Sequence, residues 1–537
     1  MHDVAIIGGG LCGLALAEAL QREGMDVRLF EARARLGGRI HSAVAASSGL
    51  GLDLGASWFW RDRQPRIARM LAALGLEDFP QYENGEVLVL EQSDAQPVAR
   101  DAADLHNGAS RLAGGMGALI SALSARLAPG SIALEHVLES AADEGEFVRL
   151  TFRAQGETHT IDARHVVLAA PPRLIEENVR FDPPLQAHVK EAMQETATWM
   201  ASEAKAVVAY AAPVWREAGQ AGNAFSTHEQ SVLGEVFDAC DQTAEKAALG
   251  GFYALSASAR HEFEAGLPLL VESQLAQIFG AGLGQGEVHH HDWAKEAHTC
   301  TLKDIQSPRR PEHASIANPY LRRPLWQGRL FLGGSETAMK AAGFLEGALD
   351  AAARIGGQIK AAEQARVAAL QAAEPARNVA SINGVSFAAF NAHVAELAQN
   401  AFDAYRQRMI RMLATQDRAR MTQRAVRETF DDIFERSLAL LRTLDFEMDG
   451  AAVEKGRSAF TLIAQAPFRP LMQSLLDDVI AFNQTSCALS NFPDEHSPSA
   501  DYWQAIVVDV GEAWKDFSLE INAAFLAKAQ NGGGGRR

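Results

Sequence analysis

Cysteine is scarce: Cys12, Cys240, Cys300 and Cys487 are the only four in 537 residues. Their scatter offers neither a disulfide framework nor the close pairs of a zinc site, which fits a reducing compartment. No run of about 18 apolar residues occurs, so no membrane span is expected. Positive charge is in deficit as well. Fifty Lys and Arg against 67 Asp and Glu leave a formal net charge of −17, which repels phosphate backbones and removes the main drive for nucleic-acid binding. Strand character begins almost at Met1, leaving no space for the charged, apolar and cleavage segments of a secretory leader. The expected location is therefore the cytoplasm.

What remains is a globular composition, 47% hydrophobic and 22% charged, in a chain too long for one hydrophobic core. Val4-Ala5-Ile6-Ile7 is a β-prone run that leads into Gly8-Gly9-Gly10, and Leu11 to Leu20 has helical composition. Strand character resumes at Asp26 to Phe30, which makes residues 1–31 a βαβ unit. Gly8-x-Gly10-x-x-Gly13 thus lies between strand and helix, where the glycines give a tight turn, close approach to a pyrophosphate and close helix packing. Glu31, at the end of the second strand, is placed to accept both hydroxyls of a ribose and to repel a 2′-phosphate. Val166 to Ala170, Ala206 to Tyr210 and Leu330-Phe331-Leu332 read as further strands, and a helix is expected from about Gly343.

Glu31-Ala32-Arg33-Ala34-Arg35-Leu36-Gly37-Gly38-Arg39 extends this site with glycines for backbone approach and arginines for phosphate. Here the chain resembles the flavin amine oxidase family. Asp53-Leu54-Gly55-Ala56-Ser57, Ala113 to Gly117, and His136-Val137 are similar to that family's next segments. Its closing motif is similar to Phe331-Leu332-Gly333-Gly334-Ser335-Glu336-Thr337-Ala338 and Gly343-Phe344-Leu345-Glu346-Gly347-Ala348. The likeness covers about residues 1–360. It implies a doubly wound, Rossmann-like α/β domain for FAD with an inserted α+β substrate domain. The FAD domain is expected at 1–75, 111–175 and 291–360, and the substrate domain at 76–110 and 176–290. Residues 361–530 are read as an additional all-α domain and 531–537 as a disordered tail.

The resemblance also implies roles. Gly8, Gly10, Gly13, Glu31, Arg33, Gly38, Arg39, Gly55, Ala56, Ser57, Val137, Trp293, Gly334, Glu336, Gly343 and Leu345 become the expected FAD contacts. Glu336 would bind ribityl or phosphate oxygens, and Trp293 would pack beside the ring system unless it is core. Lys205 falls where the family keeps a lysine that holds a water at the flavin; a surface lysine at a strand edge is the rival reading. Cys300 is out of register for covalent attachment, so non-covalent FAD is expected. Many members set two aromatic rings before the flavin, and only Phe344 of that pair is recognisable. Trp58, Phe59 and Trp60 are candidates to line the pocket instead, with Arg61 or Arg63 available for a carboxylate. His289-His290-His291 suggests a metal, but neighbours on a strand face opposite ways, and no metal is expected.

The implied activity is oxidation of an amine or amino acid to an imine, then a carbonyl compound and ammonia, with dioxygen reduced to hydrogen peroxide. Two other readings stay open: desaturation of carbon–carbon bonds on the same superfold, and a flavoprotein scaffold whose C-terminal helices dock a protein partner or a second copy. Those helices show stripes at Val394, Leu397, Ala401, Tyr405 and Met412, and at Phe430, Ile433, Phe434, Leu438 and Leu441, as expected for packing in a bundle.

Overall fold

The computed structural model describes all residues except 102–104, 307–317, 374–383, 415–418, 447–452, 455–456, 487–488, 490–491, 497 and 533–537. The chain divides into two units, Met1–Ala361 and Ala362–Arg537.

In the first unit, the apolar run expected near the N-terminus is the strand His2–Ile7, with Val4, Ala5 and Ile6 fully buried. Burial on both faces is what a parallel sheet demands. His2–Ile7 pairs in parallel with Val27–Phe30 on one side and with the end of Glu157–Leu168 on the other. Ile132–Ala133 extends the sheet beyond Val27–Phe30, and Leu330–Leu332 joins beside Glu157–Leu168 through Val166↔Leu330. The other half of Glu157–Leu168 continues into an antiparallel ladder with Val148–Ala154 and then Val137–Asp143. Arg180–Asp182 closes that edge. This strand lies inside 176–290, the stretch expected in the substrate domain, yet it belongs to the first sheet, because its three residues pair with Ser140 to Ala142.

Helix Leu11–Arg22 packs Leu14, Leu16 and Leu20 against this sheet, and helix Leu345–Ala373 adds Leu349, Ile355 and Ile359 to the same core, where they meet Val167 and Phe331. The sequence after the closing motif therefore completes the core begun by the first strand. Glu346 strengthens the junction. Its carboxylate accepts from the Arg66 and Ile67 N–H groups at 2.9 and 3.0 Å, filling the free donors at the start of helix Pro65–Leu74.

The second sheet has seven strands in the order Glu287–Asp292, Ala204–Tyr210, Ala247–Tyr253, Leu233–Asp238, Gln220–Ser226, Glu86–Leu90 and Val98–Arg100. Ala204–Tyr210 is buried at all seven positions, so Lys205 is not the surface lysine of the rival reading. Helix Leu267–Phe279 covers one face of the sheet with Val271, Leu275 and Ile278.

The second unit contains the helices Gly384–Leu413, Met421–Thr443, Phe468–Thr485 and Ala500–Gly532. Val394, Leu397, Ala401 and Tyr405 are buried and Met412 is half-buried, and the stripe also takes in fully buried Met409. One full turn after Tyr405 falls at 409. All five residues of the second stripe are buried. Phe434 stacks on Phe517 at 4.4 Å. Of the expected tail, residues 531 and 532 belong to helix Ala500–Gly532, and 533–537 lie outside the described residues.

Candidate active site

The first unit contains a cavity of about 530 Å³ whose lining comes from both ends of its sequence. At one end the strand His2–Ile7 turns into helix Leu11–Arg22. Gly8 has φ +112°, and a Cβ there would lie 2.5 Å from the Ala169 carbonyl oxygen; one at Gly13 would lie 2.0 Å from the Gly8 oxygen. No side chain fits at either place, so backbone lines this end and leaves a cradle for a dinucleotide. Glu31 is buried beside the turn and accepts from the Gly9 and Arg33 N–H groups at 2.7 and 2.9 Å. Arg33 donates to Glu296 at 2.8 Å and to Thr299 at 2.7 Å. His136, Val137 and Leu138 line the same end.

Gly55, Ala56, Ser57, Lys205, Trp293, Gly334, Gly343, Phe344 and Leu345 line the same cavity, with Gly334 beside the glycine turn, where its N–H donates to the Cys12 thiol at 3.3 Å. The Lys205 ammonium donates to the Gly55 carbonyl at 3.1 Å and to the Ser57 hydroxyl. It also lies 5.0 to 5.5 Å from the ring centres of Trp58, Phe237 and Phe252. Burial pushes its pKa from 10.5 down to about 7; Arg111 lowers it further, and Asp53 and Glu235 oppose the fall. Asp53 is in turn raised by burial, although Ser42 and the Met116 N–H donate to it at 2.6 and 2.8 Å. Trp293 donates its indole N–H to the Leu54 carbonyl at 3.1 Å.

Of the residues assigned to cofactor and chemistry, all but Gly13 and Glu336 line this cavity. Gly13 acts through packing, as described. Glu336 differs from expectation. It is fully buried, and both its oxygens receive Arg39, at 2.6 and 2.9 Å, rather than facing the cavity. Burial works to raise its pKa, but Arg39 outweighs burial and holds it below the ordinary carboxylate value.

Other expectations divide. Trp58 and Trp60 line the cavity, whereas Phe59 is buried in the core and its N–H binds the Ser110 carbonyl. Arg61 is paired at the surface with Asp78, and Arg63 is exposed, so neither offers a carboxylate clamp. Cys300 does not line the cavity, and burial lifts its thiol to about 12. The three adjacent histidines separate: His289 meets Glu287, His290 meets Tyr253, and His291 packs on His41 and Trp293.

Trp199, Met200 and Glu203 also line the cavity and were not anticipated. They occupy an irregular segment ahead of Ala204–Tyr210, and only their nearness to Lys205 in sequence could have drawn attention to them. The Trp199 ring covers Gly343, where a Cβ would lie 2.6 Å from its Cγ.

A parallel sheet whose strand–helix turn is a glycine cradle, with a buried carboxylate beside it and a buried lysine lining the same cavity, is the arrangement of a dinucleotide-dependent oxidoreductase. The profile described as flavin containing amine oxidoreductase matches residues 90–359, and that of an NAD(P)-binding Rossmann-like domain matches residues 6–74. The chain belongs to the flavin-containing amine oxidoreductase family. Putrescine oxidase of Kocuria rosea is 24% identical over 355 residues, 47% of this chain and 73% of that protein. The flavin-containing amine oxidase B of Sus scrofa is 22% identical over 455 residues, 66% of this chain and 86% of that protein. Among solved structures, putrescine oxidase bound to putrescine aligns with a TM-score of 0.55 at 20% identity, covering 67% of this chain and 99% of that one. Cyclohexylamine oxidase from Brevibacterium oxydans gives 0.55 at 18%, covering 68% and 99%. These structural likenesses show the fold. No described helix is long and apolar enough to cross a membrane.

Proposed function

We propose that this flavoenzyme oxidises the C–N bond of an amine, with FAD bound non-covalently and dioxygen as the acceptor. The observation that carries the reading is Lys205: a buried amine, held on Gly55 and Ser57, in the same cavity that the glycine cradle lines. Glu31 would hold the ribose, and Gly8 and Gly10 the pyrophosphate. Bound FAD supplies the two-electron acceptor. An amine with a hydrogen on the carbon beside nitrogen loses two electrons and two protons to give the imine. Water converts the imine to a carbonyl compound and ammonia, and dioxygen takes up the two electrons and two protons as hydrogen peroxide.

The chain's own residues have separable tasks. Trp58, Trp60 and Phe344 line the cavity with apolar surface that would exclude water from beside the flavin ring. Lys205, whose pKa burial lowers toward neutrality, can hold or release a proton at Nζ and so place positive charge where dioxygen takes up electrons. Arg39 lines the cavity but is committed to Glu336, which favours an amine over an α-amino acid needing a partner for its carboxylate. Non-covalent binding is supported by the position of Cys300 outside the cavity lining.

The test is anaerobic titration of the purified yellow protein with a panel of amines and amino acids, followed by admission of air. Bleaching by amines, then peroxide and ammonia in equal amounts, is expected. A flavin that stays oxidised across the panel would support the scaffold reading instead, and bleaching by an alkene precursor without ammonia would support desaturation.

A further inference from the structure

Trp199 is held from three sides by residues distant in sequence. Its N–H donates to Glu336 at 3.1 Å and its carbonyl accepts from Arg39 at 3.0 Å. Arg39 also donates to the Ser335 hydroxyl at 3.0 Å, and that hydroxyl donates to Glu336 at 2.9 Å. Next door, the Thr198 N–H donates at 3.0 Å to Asp304, which is paired with buried Arg173. Met200 follows with φ +55°, a conformation a side-chain-bearing residue adopts only where its surroundings impose it.

The ring held this way meets Phe344 at 5.6 Å between centres, tilted by 39°, and Phe344 meets Trp60 edge-on at 6.2 Å. A flat group sandwiched between two rings needs about 7 Å, twice the van der Waals separation of carbon atoms. Trp199 and Phe344 therefore form a continuous surface, not a slot.

We infer that Trp199, Phe344 and Trp60 form an aromatic wall against which the apolar body of the substrate lies, and that the Arg39–Glu336 pair is the positioning device that seats Trp199 in it. The inference rests on the amine-oxidising reading and deepens it, naming amines with an extended apolar body as the preferred class. Because Arg39 follows the Gly37-Gly38 turn and Glu336 follows cavity-lining Gly334 and Ser335, the wall is tied to the two segments expected to hold the cofactor. Glu336 then acts on the substrate side through the Trp199 peptide, with no direct contact to FAD.

The experiment uses the full flavin-loaded chain and measures dissociation constants for n-hexylamine and methylamine from the change each makes in the visible flavin spectrum. Trp199→Ala should reduce the preference for hexylamine over methylamine about tenfold or more, since each methylene seated on an apolar surface contributes a several-fold gain; Trp199→Phe should restore most of it. Glu336→Gln should keep its flavin and lose the same preference. Unchanged preference in Trp199→Ala overturns the wall. Glu336→Gln that loses flavin while the Trp199 variants keep theirs overturns the positioning role. If neither amine bleaches the flavin but the shifts in preference appear, amine oxidation falls and the wall stands; bleaching without the shifts gives the reverse.

Discussion

Replacing Lys205 with Met should stabilise the protein at neutral pH while slowing its return to the oxidised form. Lys205 is 2% exposed, and its pKa falls from 10.5 to about 7, chiefly through burial. At pH 7 that fall represents a folding penalty of about 4 kcal/mol. Methionine has similar bulk and carries no charge, but it forgoes the bonds to Gly55 and Ser57, each worth about 1 kcal/mol. A net gain of about 2 kcal/mol is therefore expected. The sign with pH follows from proton binding. Between about pH 7 and 10.5 the unfolded lysine holds a proton that the folded one has released, so wild-type stability rises with pH by about 1.4 kcal/mol per pH step. The handicap is complete below pH 7 and is gone above 10.5, and near pH 9 the two proteins should be equally stable. Urea melts of both flavin-loaded proteins at pH 7 and 9, followed by tryptophan fluorescence, measure the difference. A gap that stays constant between those pH values would refute the assignment of the penalty to a buried, titrating Lys205.

Glu31→Ala should yield colourless protein that refuses added FAD, read from the flavin absorbance after gel filtration, because the carboxylate that orders the Gly9 and Arg33 N–H groups is lost. Asp53→Asn and Arg111→Met should move the pH at which flavin reoxidation slows in opposite directions, down and up respectively, since their charges oppose one another at Lys205; stopped-flow reoxidation across pH measures both midpoints. In the second unit, Asn483→Ala should cost about 2–4 kcal/mol in a urea melt and leave flavin content unchanged. Asn483 is fully buried and bridges Tyr405, Thr422 and the Glu495 carbonyl at 2.7 to 2.9 Å.

The parts of the site legible in the sequence are those whose physics is local. Gly8 and Gly13 advertise a turn that excludes side chains, and Glu31 ends a strand that any reading of apolar runs would find. The period-3.6 stripe of the last third is equally plain, and Met409, one turn after Tyr405, is a buried member it passes over. Residues whose roles depend on distant partners were harder. Phe59 looks like its neighbours Trp58 and Trp60, but in this extended segment it is the one fully buried in the core and absent from the cavity lining, with its N–H on Ser110. Arg61 carried no sign that Asp78 would hold it at the surface.

Glu336 and Trp199 show most clearly why such partners stay hidden. A carboxylate in a cofactor motif invites the reading of a direct ligand, yet an anion with no exposure needs a cation of its own, and Arg39 supplies it across 297 positions of sequence. Once that pair forms inside the protein, its remaining hydrogen-bonding capacity must also be met, and the Trp199 peptide meets it with one donor and one acceptor. The satisfied pair thereby fixes a residue that no local pattern marks. In the proposed wall Trp199 joins Phe344 from a different element, and forms a surface with it where a facing pair was expected, by a solution visible only after the glycine-rich turn and the closing motif have been brought side by side.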